Sequence, residues 1–183
     1  MGVIKTEFEG LFLFEPRVFE DERGYFFESY SERVWAEAGV SCDFVQDNES
    51  KSRKGTVRGL HYQLPPHGQD KLVRVTTGEV LDIVVDIRVG QPTYGKSFSV
   101  ILSADNKKQM LVPQGFAHGF VTLSEVAVFN YKCTDFYSKE SEGHINPLDP
   151  SLALDWQLPE EALLFSEKDK AGPAFGSHLA WPS

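Results

Sequence analysis

The stretch from Thr56 to Ile87 constrains the fold most. Two β-like runs, Thr56–Leu64 and Lys71–Thr76, flank the loop Pro65, Pro66, His67, Gly68. A turn at Thr77-Gly78 leads into a third run, Glu79–Ile87. There Leu81, Ile83, Val85 and Ile87 alternate with Asp82, Val84, Asp86 and Arg88, the period of a strand with one apolar face. Many short strands separated by turns point to a closed or sandwiched antiparallel β fold.

Arg58, His61, Lys71 and Asp82 are set into this frame. A histidine near a lysine and a carboxylate can be tuned for proton transfer, and equally it can be a hydrogen-bonded core residue. Arg58 and His61 are three apart and face opposite ways on a regular strand. Gly59 lies between them, and a glycine inside a strand often marks a bulge, which would turn both side chains to one face. Chemistry is therefore expected to centre on His61.

The 183 residues suit one domain with a full core. With 18 Lys plus Arg against 27 Asp plus Glu, the net charge of -9 argues against general nucleic-acid binding but permits a small phosphorylated ligand. Cys42 and Cys133 have no metal-like or CxxC spacing, so reduced thiols in a cytoplasmic protein are expected. The start, Met1–Gly10, lacks the apolar core of a secretion signal, and no apolar run approaches the ~20 residues of a membrane span.

Along the rest of the chain, Val3–Phe19 reads as two short strands with a turn near Glu9-Gly10, and Asp21–Gly24 as a charged turn. Tyr25–Tyr30 reads as a strand. Ser31 caps a helix over Glu32–Ala38 that Gly39 ends. Phe44–Asn48 reads as a strand and Ser50–Gly55 as a polar loop. Further strands are expected at Ser97–Leu102, Met110–Val112, Val121–Thr122 and Val126–Lys132. Pro159 opens a short helix through Leu164, and the tail with Gly172-Pro173 and Gly176 reads as loosely ordered.

Pro113-x-Gly115-x-x-His118 after an apolar strand looks like the second motif of cupins, which are double-sheet jelly rolls. Metal-binding cupins carry a His-x-His in their first motif. Here that position reads His61-Tyr62-Gln63, and Lys71 nearby disfavours a cation, so no metal is expected.

Seven segments together resemble the dTDP-4-dehydrorhamnose 3,5-epimerase family. They are Asp21–Phe26, Phe44–Asn48, Arg58–Gln63, Lys71–Arg74, Pro113–Phe120, Tyr131–Asp135 and Ser166–Asp169, in the family's order and spacing. The chain departs from the family after Ile145, where it reads Asn146-Pro147-Leu148-Asp149-Pro150.

The resemblance implies a single all-β, cupin-type jelly roll over residues 1–183, needing no cofactor. It implies His61 as general base oriented by Asp169, Tyr131 as general acid on the opposite face of the sugar, and Lys71 beside the enolate oxygen. Arg23, Glu28, Gln46, Asp47, Asn48, Arg58, His118, Glu142 and Lys168 would hold the sugar nucleotide, Lys71 would also touch it, and Tyr137 would stack on thymine with Phe26 nearby. The segment Arg23–Glu28 would reach into a partner's site, making a homodimer. A single-centre epimerase, a ketoisomerase and a non-catalytic sugar-binding jelly roll are the alternatives. The set His61, Lys71 and Tyr131 disfavours the last two.

Overall fold

The computed structural model describes residues 1–182. In chain order the strands are β1 (Gly2–Lys5), β2 (Phe12–Glu15), β3 (Val18–Asp21), β4 (Gly24–Phe27), β5 (Gln46–Arg53), β6 (Val57–Gln63) and β7 (Lys71–Thr77). They continue with β8 (Glu79–Asp86), β9 (Ser97–Ser103), β10 (Gln109–Val112), β11 (Phe116–Thr122), β12 (Val126–Cys133) and β13 (Glu142–His144). Helix α1 (Glu32–Glu37) follows β4, a 3-10 turn covers Glu160–Ala162, and α2 (Glu167–Lys170) lies near the C-terminus.

A six-stranded sheet runs β1-β2-β10-β7-β12-β5 and a five-stranded sheet runs β13-β6-β11-β8-β9, with β3 and β4 forming a separate hairpin. The sheets make the jelly-roll sandwich. One cluster fills the space between them, drawing Val73, Val75, Ala127 and Phe129 from the first sheet and Val80, Val84, Phe116 and Phe120 from the second. Phe120 and Phe129 stack across the gap at 4.3 Å between ring centroids. Apolar side chains at every second position meet there because strand side chains alternate between faces.

Both outer faces are covered as well. Trp35 of α1 stacks on Phe14 of β2 at 4.3 Å and seals the six-stranded sheet with Val40, Leu72 and Leu111. The C-terminal segment seals the five-stranded sheet: Ile145, Leu152, Trp156, Phe175 and Trp181 pack on Leu60, Tyr62, Leu81, Ile83 and Val85. That cover corrects two expectations. β8 is buried on both faces, because Leu81 and Ile83 pack outward under the tail while Val80 and Val84 pack inward. The tail is tied down rather than loose: Tyr62 Oη donates to the Leu179 carbonyl at 2.7 Å, and Trp181 bridges Arg88.

Other boundaries also differ. Ser50–Arg53 belongs to β5, because β12 pairs along its whole length, from Val126 opposite Arg53 to Cys133 opposite Gln46. β4 ends at Phe27, and β11 begins at Phe116. Ser31 precedes α1 without a side-chain capping bond.

The bulge expected at Gly59 is present. His61 pairs with His118 and Arg58 with Phe120, so Gly59 and Leu60 oppose Gly119 alone. Gly59 has a φ of +131°, and a Cβ there would stand 2.5 Å from the Gly119 Cα. Only glycine fits both the conformation and the approach.

Candidate active site

A cavity of about 490 Å³ opens between the sheets. The five-stranded sheet sends in Arg58 and His61 from β6 and His118 from β11; the six-stranded sheet sends in Lys71 from β7 and Tyr131 from β12. The bulge lets Arg58 and His61 share this space. Lys168 and Asp169 of α2 close one side, and Phe120 and Phe129 form an apolar wall. A second lobe of about 140 Å³ shares His61, Lys71 and Tyr131 and adds Gln46, Tyr137 and Glu142.

His61 Nε2 lies 2.6 Å from Asp169 Oδ1. An ionised carboxylate only accepts, so Nε2 carries the proton and Nδ1 is the basic nitrogen. Asp169 is 4% exposed. Burial works against its charge, but hydrogen bonds from His61 and at Ser166 hold its carboxyl below the usual range. Ser166 fixes the turn by accepting from the Asp169 amide at 3.1 Å. The resemblance implied Asp169 as the carboxylate partner of His61, whereas the local sequence frame also offered Asp82. Asp82 instead points inward from β8 and bonds His118, Oδ1 to Nε2 at 2.8 Å. Burial pushes Asp82 up, opposed by His118 and Lys71.

Lys71 is partly buried, and desolvation lowers its ammonium below the ordinary lysine value. Burial raises the Tyr131 phenol, so it stays protonated. Its hydroxyl has no hydrogen-bond partner among the described residues and is free to donate into the cavity. Two dyads, a desolvated ammonium and a phenol thus surround one space. The arrangement can abstract a proton from one side of a bound carbon acid, stabilise the resulting oxyanion and return a proton from the other side.

The remaining expected residues divide. Glu142 pairs with Lys168 at 2.6 Å and accepts from Tyr137 Oη at 3.2 Å. Asn48 stands on the face of Gln46 and accepts its amide at 3.0 Å. Asp47 is not brought in: strand alternation turns it to the outer face, where it pairs with Lys132 at 2.7 Å. Arg23, Phe26 and Glu28 also stay outside this chain's cavity, on or beside the exposed β3–β4 hairpin, with Arg23 bonded to Asp21. Overlooked in the sequence were Arg53, which lines the cavity, and Ser52, whose hydroxyl accepts from Arg58 Nε at 3.0 Å. The signal for Ser52 was the polar alternation Gln46, Asn48, Ser50, Ser52, masked by reading Ser50–Gly55 as a loop; Arg53, at the end of β5, lies off that alternation.

Cys42 and Cys133 are free thiols. Among the described residues, no group of three or more His, Cys, Asp and Glu is placed to hold a metal ion, and no helix is long and apolar enough to cross a membrane.

The family model described as dTDP-4-dehydrorhamnose 3,5-epimerase matches residues 5–177. The chain belongs to this family. It is 54% identical over 183 residues to the dTDP-4-dehydrorhamnose 3,5-epimerase of Pseudomonas aeruginosa, covering 100% of both chains. Among solved structures, the dTDP-4-dehydrorhamnose 3,5-epimerase from Elizabethkingia anophelis NUHP1 superposes with a TM-score of 0.91 at 51% identity, covering 96% of this chain and 97% of that one. The dTDP-6-deoxy-D-glucose-3,5-epimerase from Legionella pneumophila Philadelphia 1, in complex with dTDP-4-keto-L-rhamnose, gives 0.90 at 49% identity, covering 96% and 93%. Family membership accounts for the jelly-roll sandwich and for the seven matching segments.

Proposed function

We propose that this chain epimerises C3 and C5 of dTDP-4-dehydro-6-deoxy-D-glucose, giving dTDP-4-dehydro-L-rhamnose in deoxysugar biosynthesis. The observation that carries the reading is the placement of His61 and Tyr131 on opposite sheets around one cavity, with Lys71 between the lobes.

The C4 ketone acidifies the protons on both neighbouring carbons, so the reaction needs a base, an acid and a cradle for the enolate. His61 Nδ1 takes the proton from carbon, and the C–H electrons pass to the C4 oxygen. Lys71 holds the oxyanion, with His118 beside it. Tyr131 Oη gives its proton to the opposite face of the carbon as the oxyanion's electrons return to reform the C4 carbonyl. The phenolate then regains a proton from solvent, and the His61 imidazolium gives its proton up to solvent. The second α carbon repeats the cycle. Arg58, Arg53 and Lys168 suit the diphosphate, for which guanidinium forks provide bidentate hydrogen bonds. Tyr137, exposed at the rim of the smaller lobe, stacks on thymine, with Gln46, Asn48 and Glu142 as polar neighbours.

The working unit in this reading is a cytoplasmic homodimer. The β3–β4 hairpin pairs with neither sheet and exposes Phe19, Tyr25 and Phe26 at 51%, 59% and 69%. An isolated two-stranded hairpin is marginal in water, so this one is stabilised by docking on a partner, to which it carries Arg23, Phe26 and Glu28. Incubation with the 4-keto sugar nucleotide in deuterated water, followed by NMR, tests the activity. Deuterium at both C3 and C5 with inversion of both is expected. Label at only one centre would replace this reading with single-centre epimerisation, and label at neither would refute it.

A further inference from the structure

We infer that Gln63 is a positioning residue for the nucleotide end of the site, acting through the loop that carries Tyr137. The inference rests on the reading of Tyr137 as the side chain that stacks on the nucleobase.

Gln63 stands two residues beyond His61 on β6 and therefore on the same face of that strand. It is 5% exposed. Its Nε2 donates to the His67 carbonyl at 2.6 Å and to the Phe136 carbonyl at 3.2 Å, while its Oε1 accepts from the Ser138 amide at 2.8 Å. Phe136 and Ser138 flank Tyr137, so one buried amide grips the backbone on both sides of that residue. The segment between β12 and β13 lacks a ladder of its own, so its polar backbone groups depend on side chains for partners. Gln69 adds a bond from its Nε2 to the Asp135 carbonyl at 2.8 Å, and the Tyr137 amide reaches Gln46 Oε1 at 3.3 Å.

The rings carried by this segment point the other way. Phe136 and Tyr137 are 62% and 58% exposed although their backbone is fastened. An aromatic ring presented from a fixed backbone loses little freedom when a ligand stacks on it, which favours binding through preorganisation. Because His61 and Gln63 share one strand, the base and the nucleobase platform keep a fixed separation. An apolar residue at position 63 would leave three backbone groups, two of them flanking Tyr137, without their partner.

The test measures dTDP affinity by calorimetry, together with kcat and KM, for Gln63→Ala, Tyr137→Ala and the double variant. Gln63→Ala is expected to raise the Kd for dTDP and the KM by about ten-fold, the value of a lost buried hydrogen bond or two, with kcat at saturation little changed. On a Tyr137→Ala background the same substitution adds little, because both act through one ring. Thermal unfolding reports whether Gln63→Ala is folded. Gln69→Ala, at a partly buried site, is the second variant and shifts Kd in the same direction by less; it decides the matter if Gln63→Ala does not fold. Unchanged dTDP affinity in folded Gln63→Ala, a loss fully additive to that of Tyr137→Ala, a fall in kcat instead of a rise in KM, or an unchanged Kd in Gln69→Ala where that variant decides overturns the inference. Unchanged affinity in Tyr137→Ala overturns instead the reading of Tyr137 on which it rests.

Discussion

His61 Nε2 and Asp169 Oδ1 meet at 2.6 Å although 108 positions separate them in the chain. The contact joins a strand of the sandwich to a one-turn helix that Ser166 caps. Replacing His61 with Ala is expected to abolish both deuterium exchange and epimerisation, with a loss within or beyond the ~10²–10⁴-fold typical of a general base. Asp169→Asn keeps the shape and removes the charge, so its loss falls at the lower end of that range. Both are read by NMR in deuterated water. Normal exchange in folded His61→Ala would remove His61 from the mechanism.

Tyr131 stands on the sheet opposite His61, and a base on one face cannot return a proton to the other. Tyr131→Phe keeps the ring against Phe129 and deletes only the hydroxyl. Exchange at C3 or C5 is expected to persist in part while inversion falls by ~10²-fold or more. Comparing the two rates in one NMR time course checks this. Inversion at the original rate would assign the acid elsewhere.

The pH dependence follows from Lys71. Desolvation lowers its ammonium below the ordinary value of 10.5, so rising pH removes the charge earlier than for a lysine in water. Burial moves Tyr131 the other way, above 10.0. The alkaline limb of kcat/KM is expected below 10.5, with Lys71 as the group assigned to it because loss of its charge removes the partner of the enolate. Lys71→Arg, which keeps its charge at every such pH, moves the limb upward even where the rate is lower. An unmoved limb in that variant would assign the titration to another group.

The exposed hairpin predicts shared sites. Arg23→Ala and His61→Ala chains are each expected to be nearly inactive. Mixed dimers should regain part of the activity, because one of their two sites combines an intact hairpin with an intact base. Activity is measured after subunit exchange has been verified with tagged chains. No recovery would place the hairpin outside the site.

The sequence by itself determined the strand pattern and the bulge, because alternation and glycine placement are local properties of the chain. Leu81, Ile83, Val85 and Ile87 had to lie on one face, and Gly59 could accept a φ of +131° without strain. The segments around His61, Lys71 and Tyr131 were legible as a set through their resemblance to one family. Local spacing could not say which carboxylate serves which histidine; the family resemblance implied Asp169 for His61, and only the tertiary structure shows the contact and pairs Asp82 with His118. Asp82 is nearer to His61 in sequence, yet it faces the inner core from β8 and takes His118, while Asp169 arrives on a distant one-turn helix. The same holds for Asp47, turned outward by its parity on β5, and for the tail, ordered by apolar area that β6 and β8 present to it. Spacing along a chain sets which face a side chain takes; what that face meets is set by the packing of sheets and cover, which joins residues that sequence keeps far apart.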